Sequence, residues 1–317
     1  MTSKQRFITA LERKPLIGRV PTFELVFFLT MEKFGKVHPS HRDYHQWDQM
    51  SAKEKQLHRI DIANLYIDTA ESYGHDAILV HPNPSSKEEI IRILETIREI
   101  SGDRYFLMLH GDPTFSLPDG NQMYDFAYRM LDDPDDLKAE AQENVDSALQ
   151  WAEKLSKYKL LDGFALCSDY CFNDGPFLSP NQFSEFVTPY LSAVIKGYRE
   201  MGYYSIKHTD GNIMPILDQL VQTAPDALHS LDPQAGVDIK EIKRYCGDKI
   251  CLIGNVNCGL LETGTDEQVK ESARYAIENG MPGYGYIFST SNCVYTGMPL
   301  ERYDLILQVL DEIGVYI

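Results

Sequence analysis

The sequence predicts an α/β fold, a (β/α)8 TIM barrel, which occupies residues 1–317 as a single domain. Eight short apolar runs are bounded by turn residues, and segments of amphipathic helical periodicity separate them. Strands that alternate with helices indicate a parallel sheet, and 317 residues suit one such barrel. The alternative is an open, doubly wound sheet, but the chain has no GxGxxG after the first run and no GxxxxGK[ST] anywhere.

The predicted strands are short runs of apolar residues in extended patterns. In chain order they are Val20–Leu25, Ala77–Val80, Tyr105–Leu109, Gly163–Cys167, Tyr204–Lys207, Ala227–Leu231, Ile250–Ile253 and Gly285–Phe288. The predicted helices repeat apolar residues every three or four positions, which gives each helix one buried face. They are Ser86–Ile100, Leu137–Tyr158, Pro180–Met201, Ile213–Ala224, Ile239–Cys246, Asp266–Asn279 and Pro299–Ile313.

Charge and cysteine usage restrict the class of protein. Lys and Arg number 30 and Asp and Glu number 47, so the formal net charge is −17. Such a surface repels phosphate backbones and anionic lipids, which argues against nucleic acid and membrane partners.

The amino terminus lacks an apolar signal region, and no apolar run approaches the roughly 18 to 20 residues that span a bilayer. The six cysteines form no CxxC pair, so we expect reduced thiols in a cytoplasmic protein.

Polar side chains recur where a barrel would place its catalytic groups, just after the carboxyl ends of the strands. They are Glu24, His81, His110, Asp112, Ser168, Asp169, His208, Asp210, Asp232, Asn255, Asn257, Ser289, Asn292 and Cys293. The rim of a barrel is polar whatever its function. The recurrence therefore counts for more than any one of these residues.

His208 and Asp210 stand out within this set because they lie two residues apart. In an extended chain their side chains point to the same side, so both could reach one centre. Both residue types are zinc ligands, and Cys293 would approach from the neighbouring side of a closed barrel. The alternative is that His208 and Asp210 form a hydrogen-bonded pair that holds a turn. The residues alone leave both interpretations open.

Aromatic residues also cluster beyond the strand ends. Phe27 and Phe28 follow the first strand, and Tyr170 and Phe172 lie in the loop after the fourth. Core packing explains most aromatic residues of the chain. Those beyond the strand ends are candidates for the wall of a pocket that takes a flat or apolar ligand.

Several motifs resemble those of the uroporphyrinogen decarboxylase superfamily, in the same order along nearly the whole chain. The resemblance lies in Gly175–Pro180 with Phe183, Phe186, Pro189 and Tyr190, in His208–Asn212, in Leu231–Pro233 with Val237 and Asp238, in Ile253–Val256, and in Asn292, Cys293, Met298 and Pro299. Five matches in order are more specific than any single one. The resemblance implies a (β/α)8 barrel, in agreement with the strand count.

The superfamily has two main chemistries, and the amino-terminal segment distinguishes them. Its decarboxylases act without a cofactor on a tetrapyrrole that carries many carboxylates. They bind these carboxylates through the arginines of an MRQAGR-type segment. The corresponding segment here, Arg19–Phe27, offers Glu24 and aromatic side chains instead. A net charge of −17 adds to the mismatch with such a polyanion.

The other chemistry belongs to methyltransferases that work with corrinoid proteins. Their thiol-methylating members bind zinc through a His-x-Cys motif on strand five and a later Cys. Here His208 and Cys293 match, whereas Asp210 stands at the position of the first Cys. A carboxylate in place of a thiolate makes a harder Lewis acid that suits oxygen. The resemblance therefore implies transfer from an ether oxygen, as in O-demethylase systems, unless Asp210 only orients His208.

The resulting prediction is a methyltransferase that moves a methyl group from a small methylated donor, with an aromatic methyl ether as the expected donor, to cobalamin on a separate corrinoid protein. The predicted zinc ligands are His208, Asp210 and Cys293, and the predicted catalytic residues are Asp169 and His208. The predicted substrate-binding residues are Glu24, Phe27, His81, His110, Tyr170 and Asn255. A decarboxylase and a binding barrel without catalysis are the alternatives. The sequence leaves the oligomeric state open, with a homodimer among the options.

Overall fold

The computed structural model describes residues 1–317, and a curled sheet of seven parallel strands forms its centre. The strands, in their order across the sheet, are β2 (Ala77–Leu79), β3 (Phe106–His110), β4 (Gly163–Leu166), β7 (Tyr204–Thr209), β8 (Ala227–Ser230), β9 (Cys251–Gly254) and β10 (Tyr286–Ile287). Seven of the eight predicted strands are therefore present, each within two residues of its predicted ends. The barrel predicted from the sequence is confirmed.

The first predicted strand, Val20–Leu25, is wrong, because residues 20–25 form no regular strand. The segment nevertheless joins the two ends of the sheet. The amide of Asp76 donates to the carbonyl of Thr22 at 2.7 Å, and the amide of Phe288 donates to the carbonyl of Pro21 at 2.8 Å. Thr22 also forms an isolated parallel bridge with Phe288. Pro21 has no amide hydrogen, so the segment cannot complete a ladder, although it closes the barrel.

Helices cover the outside of the sheet. They are α1 (Ser3–Leu11), α2 (Thr30–Phe34), α3 (Ala52–Tyr73), α4 (Lys87–Ser101), α5 (Gln122–Asp132), α6 (Pro134–Ser156), α7 (Pro180–Phe186), α8 (Thr188–Glu200), α9 (Leu217–Gln222), α10 (Ile239–Cys246), α11 (Cys258–Thr263), α12 (Asp266–Gly280) and α13 (Leu300–Ile313). None of them combines the length and the hydropathy that crossing a bilayer requires.

Two predicted helices are wrong in extent, and proline explains both. The segment Pro180–Met201 divides into α7 and α8 at Val187, because Pro189 cannot donate the amide bond that would continue α7. The segment Ile213–Ala224 is a single 3-10 turn around Pro215 followed by the short helix α9. The sequence interpretation did not identify α1, α2, α3, α5 and α11.

Short antiparallel pairs complete the fold. β5 (Cys171–Phe172) pairs with β6 (Gly175–Pro176) in a hairpin after β4, which the sequence did not predict. β1 (Gly18–Arg19) pairs with β11 (Val315–Tyr316) near the amino-terminal end of the barrel. The hairpin matters for the site, because it extends the loop that carries Asp169.

The barrel lumen is packed with apolar side chains at its amino-terminal end. Alternate residues of the strands, such as Ala165, Ile206 and Ala227, point inwards, and Phe7 of α1 packs beneath them. The ring of Phe7 lies 5.7 Å from that of Phe23. The lumen is therefore closed at one end, and only its carboxyl-terminal mouth is available for polar groups.

Candidate metal centre at the barrel mouth

The alternation of β7 places His208 and Asp210 at the mouth of the barrel. Ile206 belongs to the lumen core, so residues two and four positions later face the same side. His208 is buried and Asp210 is partly exposed. The spacing of the two residues in the sequence therefore predicted their common direction correctly.

Three potential ligand groups meet at this position. The ligand atoms of Asp169, His208 and Asp210 all lie within 4.8 Å of one another. The Nε2 atom of His208 is 3.7 Å from Oδ1 of Asp210 and 4.0 Å from Oδ1 of Asp169. Both distances are too long for a hydrogen bond, so the alternative of a His208–Asp210 pair holding a turn is not what the structure shows.

Neighbouring side chains hold the Asp210 carboxylate in place. Ser230 Oγ donates to its Oδ1 at 2.7 Å, and Asn292 Nδ2 donates to its Oδ2. Ser230 adopts a φ of +83°, a conformation that costs a non-glycine residue energy and that accompanies functional sites. Burial, assisted by the charges of Asp169 and Asp232, raises the pKa of Asp210 to about 7.

The ring of His208 is buried in an environment that favours its neutral form. Burial lowers the pKa of its ring well below the usual value, and His229 and Lys207 add to the effect. Its Nδ1 atom lies 2.7 Å from Nδ1 of His229, so only Nε2 faces the two carboxylates. The neutral imidazole of His208 and the carboxylate of Asp210 are donors that suit zinc. The residues present therefore fit the metal that the sequence predicts.

Cys293 lies outside the group of three. It is buried at the edge of the lumen core, and its amide donates to Oδ1 of Asn292 at 2.7 Å. Burial, with the charges of Glu24 and Asp210, raises the pKa of its thiol to about 12. Through Asn292, the segment that carries Cys293 is tied to Asp210. All six cysteines are free thiols.

Glu24 is buried against the segment that follows β10 and against α13. Its carboxylate accepts hydrogen bonds from Thr290 Oγ1 at 2.5 Å, from Tyr303 at 3.2 Å and from Ser289 Oγ at 3.3 Å. Burial raises its pKa to about 7, although these hydrogen bonds act in the opposite direction. The structure does not bring Glu24 together with the ligand group. Phe27 is likewise a packing residue, in contact with the rings of Tyr73 and Tyr303.

His81 and His110 form a pair at the carboxyl ends of the neighbouring strands β2 and β3. Their Nε2 atoms lie 2.9 Å apart, and the Nδ1 atom of His81 is buried without a partner. His38 lies against His81 with a ring separation of 5.9 Å. Both histidines lie at the carboxyl ends of parallel strands, as His208 does, so the pair borders the same mouth.

The other two predicted substrate-binding residues have different surroundings. The Tyr170 hydroxyl bonds to Thr114 Oγ1 at 2.6 Å, and its ring is buried beneath the ammonium group of Lys207. Asn255 donates from Nδ2 to the carbonyl of Leu231 at 2.8 Å and borders an open groove of about 490 Å³. Only Asn255 of the two therefore adjoins open space.

His229 and Ser230 are the site residues that the sequence interpretation missed. Both lie inside the predicted strand Ala227–Leu231, where they were considered only as strand residues. A signal was available, because Ala227 points into the lumen and His229 follows it by two residues. Ser230 donates to Asp210 from an unusual backbone conformation with positive φ, which no pattern in the sequence predicts.

Comparisons with known proteins agree with this architecture. Residues 166–313 match the sequence profile of the family described as Uroporphyrinogen decarboxylase (URO-D). Curated relatives include the uroporphyrinogen decarboxylases of Thioalkalivibrio sulfidiphilus, 25% identical over 151 residues, and of Pseudoalteromonas translucida, 24% identical over 148 residues. These matches cover 44% of this chain and 40% and 39% of the relatives' own length. The chain thus spans about two fifths of the length of the relatives it matches.

A solved structure extends the likeness to the whole fold. The methyltransferase from Methanosarcina mazei aligns with a TM-score of 0.73 over 98% of this chain and 99% of that protein, at 18% sequence identity. At this identity the comparison shows the fold alone. The family match confirms the resemblance predicted from the motifs over residues 166–313, and the shared fold agrees with the predicted barrel over nearly the whole chain.

Proposed function

We propose that this protein, which resembles the uroporphyrinogen decarboxylase superfamily, is a methyltransferase. It would move a methyl group from a small methylated donor, in particular an aromatic methyl ether, to the cobalt of a corrinoid on a separate protein. The observation that carries the proposal is the convergence of His208, Asp169 and Asp210 at the open end of the barrel. Such a group at the carboxyl-terminal mouth is where barrel enzymes keep their chemistry.

We assign the metal to His208 and Asp210, with Cys293 as the third ligand predicted from the sequence. Zinc in catalytic sites commonly has three protein ligands and one open position for water or substrate. When bound, the ion would supply Lewis acidity to the oxygen that the methyl group leaves. The carboxylate of Asp210 makes this centre harder than one built from two thiolates.

Asp169 is assigned the role of a proton donor beside the metal. Its Oδ1 accepts the amide of Asp210 at 2.9 Å, which fixes the carboxyl group at the mouth. Its side chain is 43% exposed, so protons can be exchanged with solvent. A carboxyl group in this position can protonate the departing phenolate or orient the donor, and such assistance contributes about 10²- to 10⁴-fold in rate.

The mouth offers groups that suit a flat donor with a polar substituent. His81 and His110 present ring edges and one unpartnered buried nitrogen. The buried cation of β7, Lys207, is paired with Asp112 and is unavailable to a substrate carboxylate. These surroundings favour a small donor over the polyanionic tetrapyrrole of the decarboxylases.

The comparisons support the proposal unequally. The methyltransferase from Methanosarcina mazei shares the fold over nearly the whole chain. The curated relatives are decarboxylases, but their alignment covers less than half of this chain. Decarboxylation is therefore the rival outcome that the experiment must include.

The test is a methyl-transfer assay with the purified, zinc-loaded protein. It is mixed with a reduced corrinoid protein and a panel of methoxylated aromatics and methylamines, and cobalt(I) is followed as it becomes methylcobalt(III). We expect transfer from a methoxyarene and release of the corresponding phenol. Uroporphyrinogen is assayed in parallel for carbon dioxide. Carbon dioxide release, or no methyl transfer with any donor and corrinoid partner, would contradict the proposal.

A further inference from the structure

The second nitrogen of His208 faces another histidine in the barrel lumen. His208 Nδ1 and His229 Nδ1 lie 2.7 Å apart, and the two ring centroids are separated by 4.9 Å. Both side chains are buried, and the ring of Phe23 packs 5.8 Å from His229. Two neutral imidazoles at this distance share one hydrogen, so one Nδ1 donates and the other accepts.

The opposite edge of His229 determines which ring donates. Its Nε2 lies 3.3 Å from Ser289 Oγ, and the hydroxyl hydrogen of Ser289 is directed at Glu24 Oε2, also at 3.3 Å. Since a serine hydroxyl has one hydrogen, the Ser289 oxygen that donates to Glu24 can only accept from the His229 ring. Since Nδ1 already faces His208, Nε2 of His229 is the nitrogen that carries the hydrogen.

Ser289 continues the same direction of donation. Its hydroxyl accepts from His229 and donates to Glu24 Oε2 at 3.3 Å. The amide and hydroxyl of Thr290 and the hydroxyl of Tyr303 also donate to the Glu24 carboxylate. In its ionised form, Glu24 ends the chain as the acceptor of the Ser289 hydroxyl hydrogen.

We infer that His229 is a positioning residue that holds His208 in the tautomer with its hydrogen on Nδ1 and its Nε2 lone pair directed at Asp169 and Asp210. A neutral His229 with a hydrogen on Nε2 has only a lone pair on Nδ1, so it must accept from His208. The importance of this tautomer for metal binding rests on the function proposed above. The tautomer itself follows from the hydrogen bonds alone.

Removing His229 should leave His208 with a buried donor that has no acceptor. Water has little access, because both rings are enclosed by the lumen core. An unpaired buried donor favours other orientations of the ring, and partners behind a metal-binding histidine commonly change metal affinity by 10- to 100-fold. Gln at position 229 keeps an acceptor at this edge, whereas Phe removes it.

The decisive experiment is nitrogen-15 NMR of histidine-labelled, metal-free wild-type protein, with His229→Phe used to assign the two rings. We expect a protonated Nδ1 and an unprotonated Nε2 for His208, and the reverse for His229. A hydrogen on Nε2 of His208 would overturn the inference. Because no metal is present, this readout is independent of the proposed function.

Zinc affinity then provides the second readout, by competition with a chromophoric chelator. His229→Phe should bind zinc about 10- to 100-fold more weakly than wild type, and His229→Gln should recover most of the loss. Equal affinity of all three proteins would contradict the positioning role. If the tautomers are as expected but wild type binds no zinc, the inference stands and the proposed metal centre fails.

Discussion

Lys207 and Asp112 form an ion pair on the outer side of β7, with Nζ and Oδ2 2.7 Å apart and both side chains buried. The same ammonium group donates to the carbonyl of Ser168 at 2.8 Å, and the Ser168 amide donates to Asp112 at 3.0 Å. Burial would raise the pKa of Asp112, but Lys207 keeps it below the ordinary value. The pair therefore fixes the residue that precedes Asp169 in the chain.

Removing the cation should destabilise the fold. Lys207→Met leaves the Asp112 carboxylate buried without its partner, so we expect the free energy of unfolding to fall by about 3–5 kcal/mol. Urea denaturation of the metal-free protein measures the loss. The double variant Lys207→Met with Asp112→Asn removes the uncompensated charge and should recover part of it. A loss below about 1 kcal/mol in the single variant would show that the pair is dispensable.

Gly211 should tolerate no side chain, because the loop after Asp210 packs against the hairpin of β5 and β6. A Cβ atom there would lie 2.5 Å from the carbonyl oxygen of Cys171, and φ is +80°. Gly236 has a similar φ of +77° but open space around it, so it provides the matched control. We expect Gly211→Ala to lower the unfolding free energy more than Gly236→Ala, whose backbone strain alone costs about 1–3 kcal/mol. Equal losses in urea denaturation would contradict the close approach.

The buried carboxyl of Glu24 should make stability depend on pH. Its pKa is raised to about 7 from a usual 4.5, so the unfolded chain releases this proton at lower pH than the folded protein does. Its contribution to stability is therefore largest below about pH 4.5 and is lost as the pH rises through 7. Glu24→Gln removes this dependence, which amounts to on the order of 3 kcal/mol.

The measurement compares unfolding free energies of the metal-free proteins from pH 4.5 to 8. We expect Glu24→Gln to gain stability relative to wild type as the pH rises. Glu143, exposed on α6, provides the control substitution Glu143→Gln. A constant difference between Glu24→Gln and wild type across this range would contradict the raised pKa.

Cobalt(II) substitution should reveal whether Cys293 binds the metal. A thiolate ligand gives cobalt(II) a near-ultraviolet charge-transfer band that oxygen and nitrogen ligands lack. We expect this band in the wild-type protein and its loss in Cys293→Ser, with the metal retained by His208 and Asp210. Stoichiometric cobalt without the band would remove Cys293 from the ligand set and leave its place to Asp169.

Periodicity and spacing predicted the barrel, because each strand is a short apolar run and His208 and Asp210 lie two residues apart on one of them. The segment Val20–Leu25 was predicted wrongly as a strand, because Pro21 interrupts its hydrogen-bond ladder although the segment still closes the sheet. His229 was missed because a polar residue inside an apolar run was assigned to the strand alone. Glu24 lies at the end of the predicted strand Val20–Leu25, but its carboxylate is held by Tyr303 and Thr290 and is not part of the ligand group, which position along the chain does not reveal.

The roles of Asp169 and His208 should separate in the methyl-transfer assay. His208→Ala loses a ligand, whereas Asp169→Asn loses only a proton donor, so we expect the second variant to retain zinc and to be impaired less. Its rate should fall by no more than about 10²- to 10⁴-fold. Loss of zinc from Asp169→Asn would show that this carboxylate is itself a ligand.

The measurement that tests the central claim most directly is the zinc content of the purified protein after incubation with zinc and removal of the excess. Wild type should retain one ion per chain, and His208→Ala should retain none while remaining folded by circular dichroism. His45 is 90% exposed, and its variant His45→Ala should match wild type. Full zinc content in His208→Ala, or none in wild type, would contradict a metal centre at the barrel mouth.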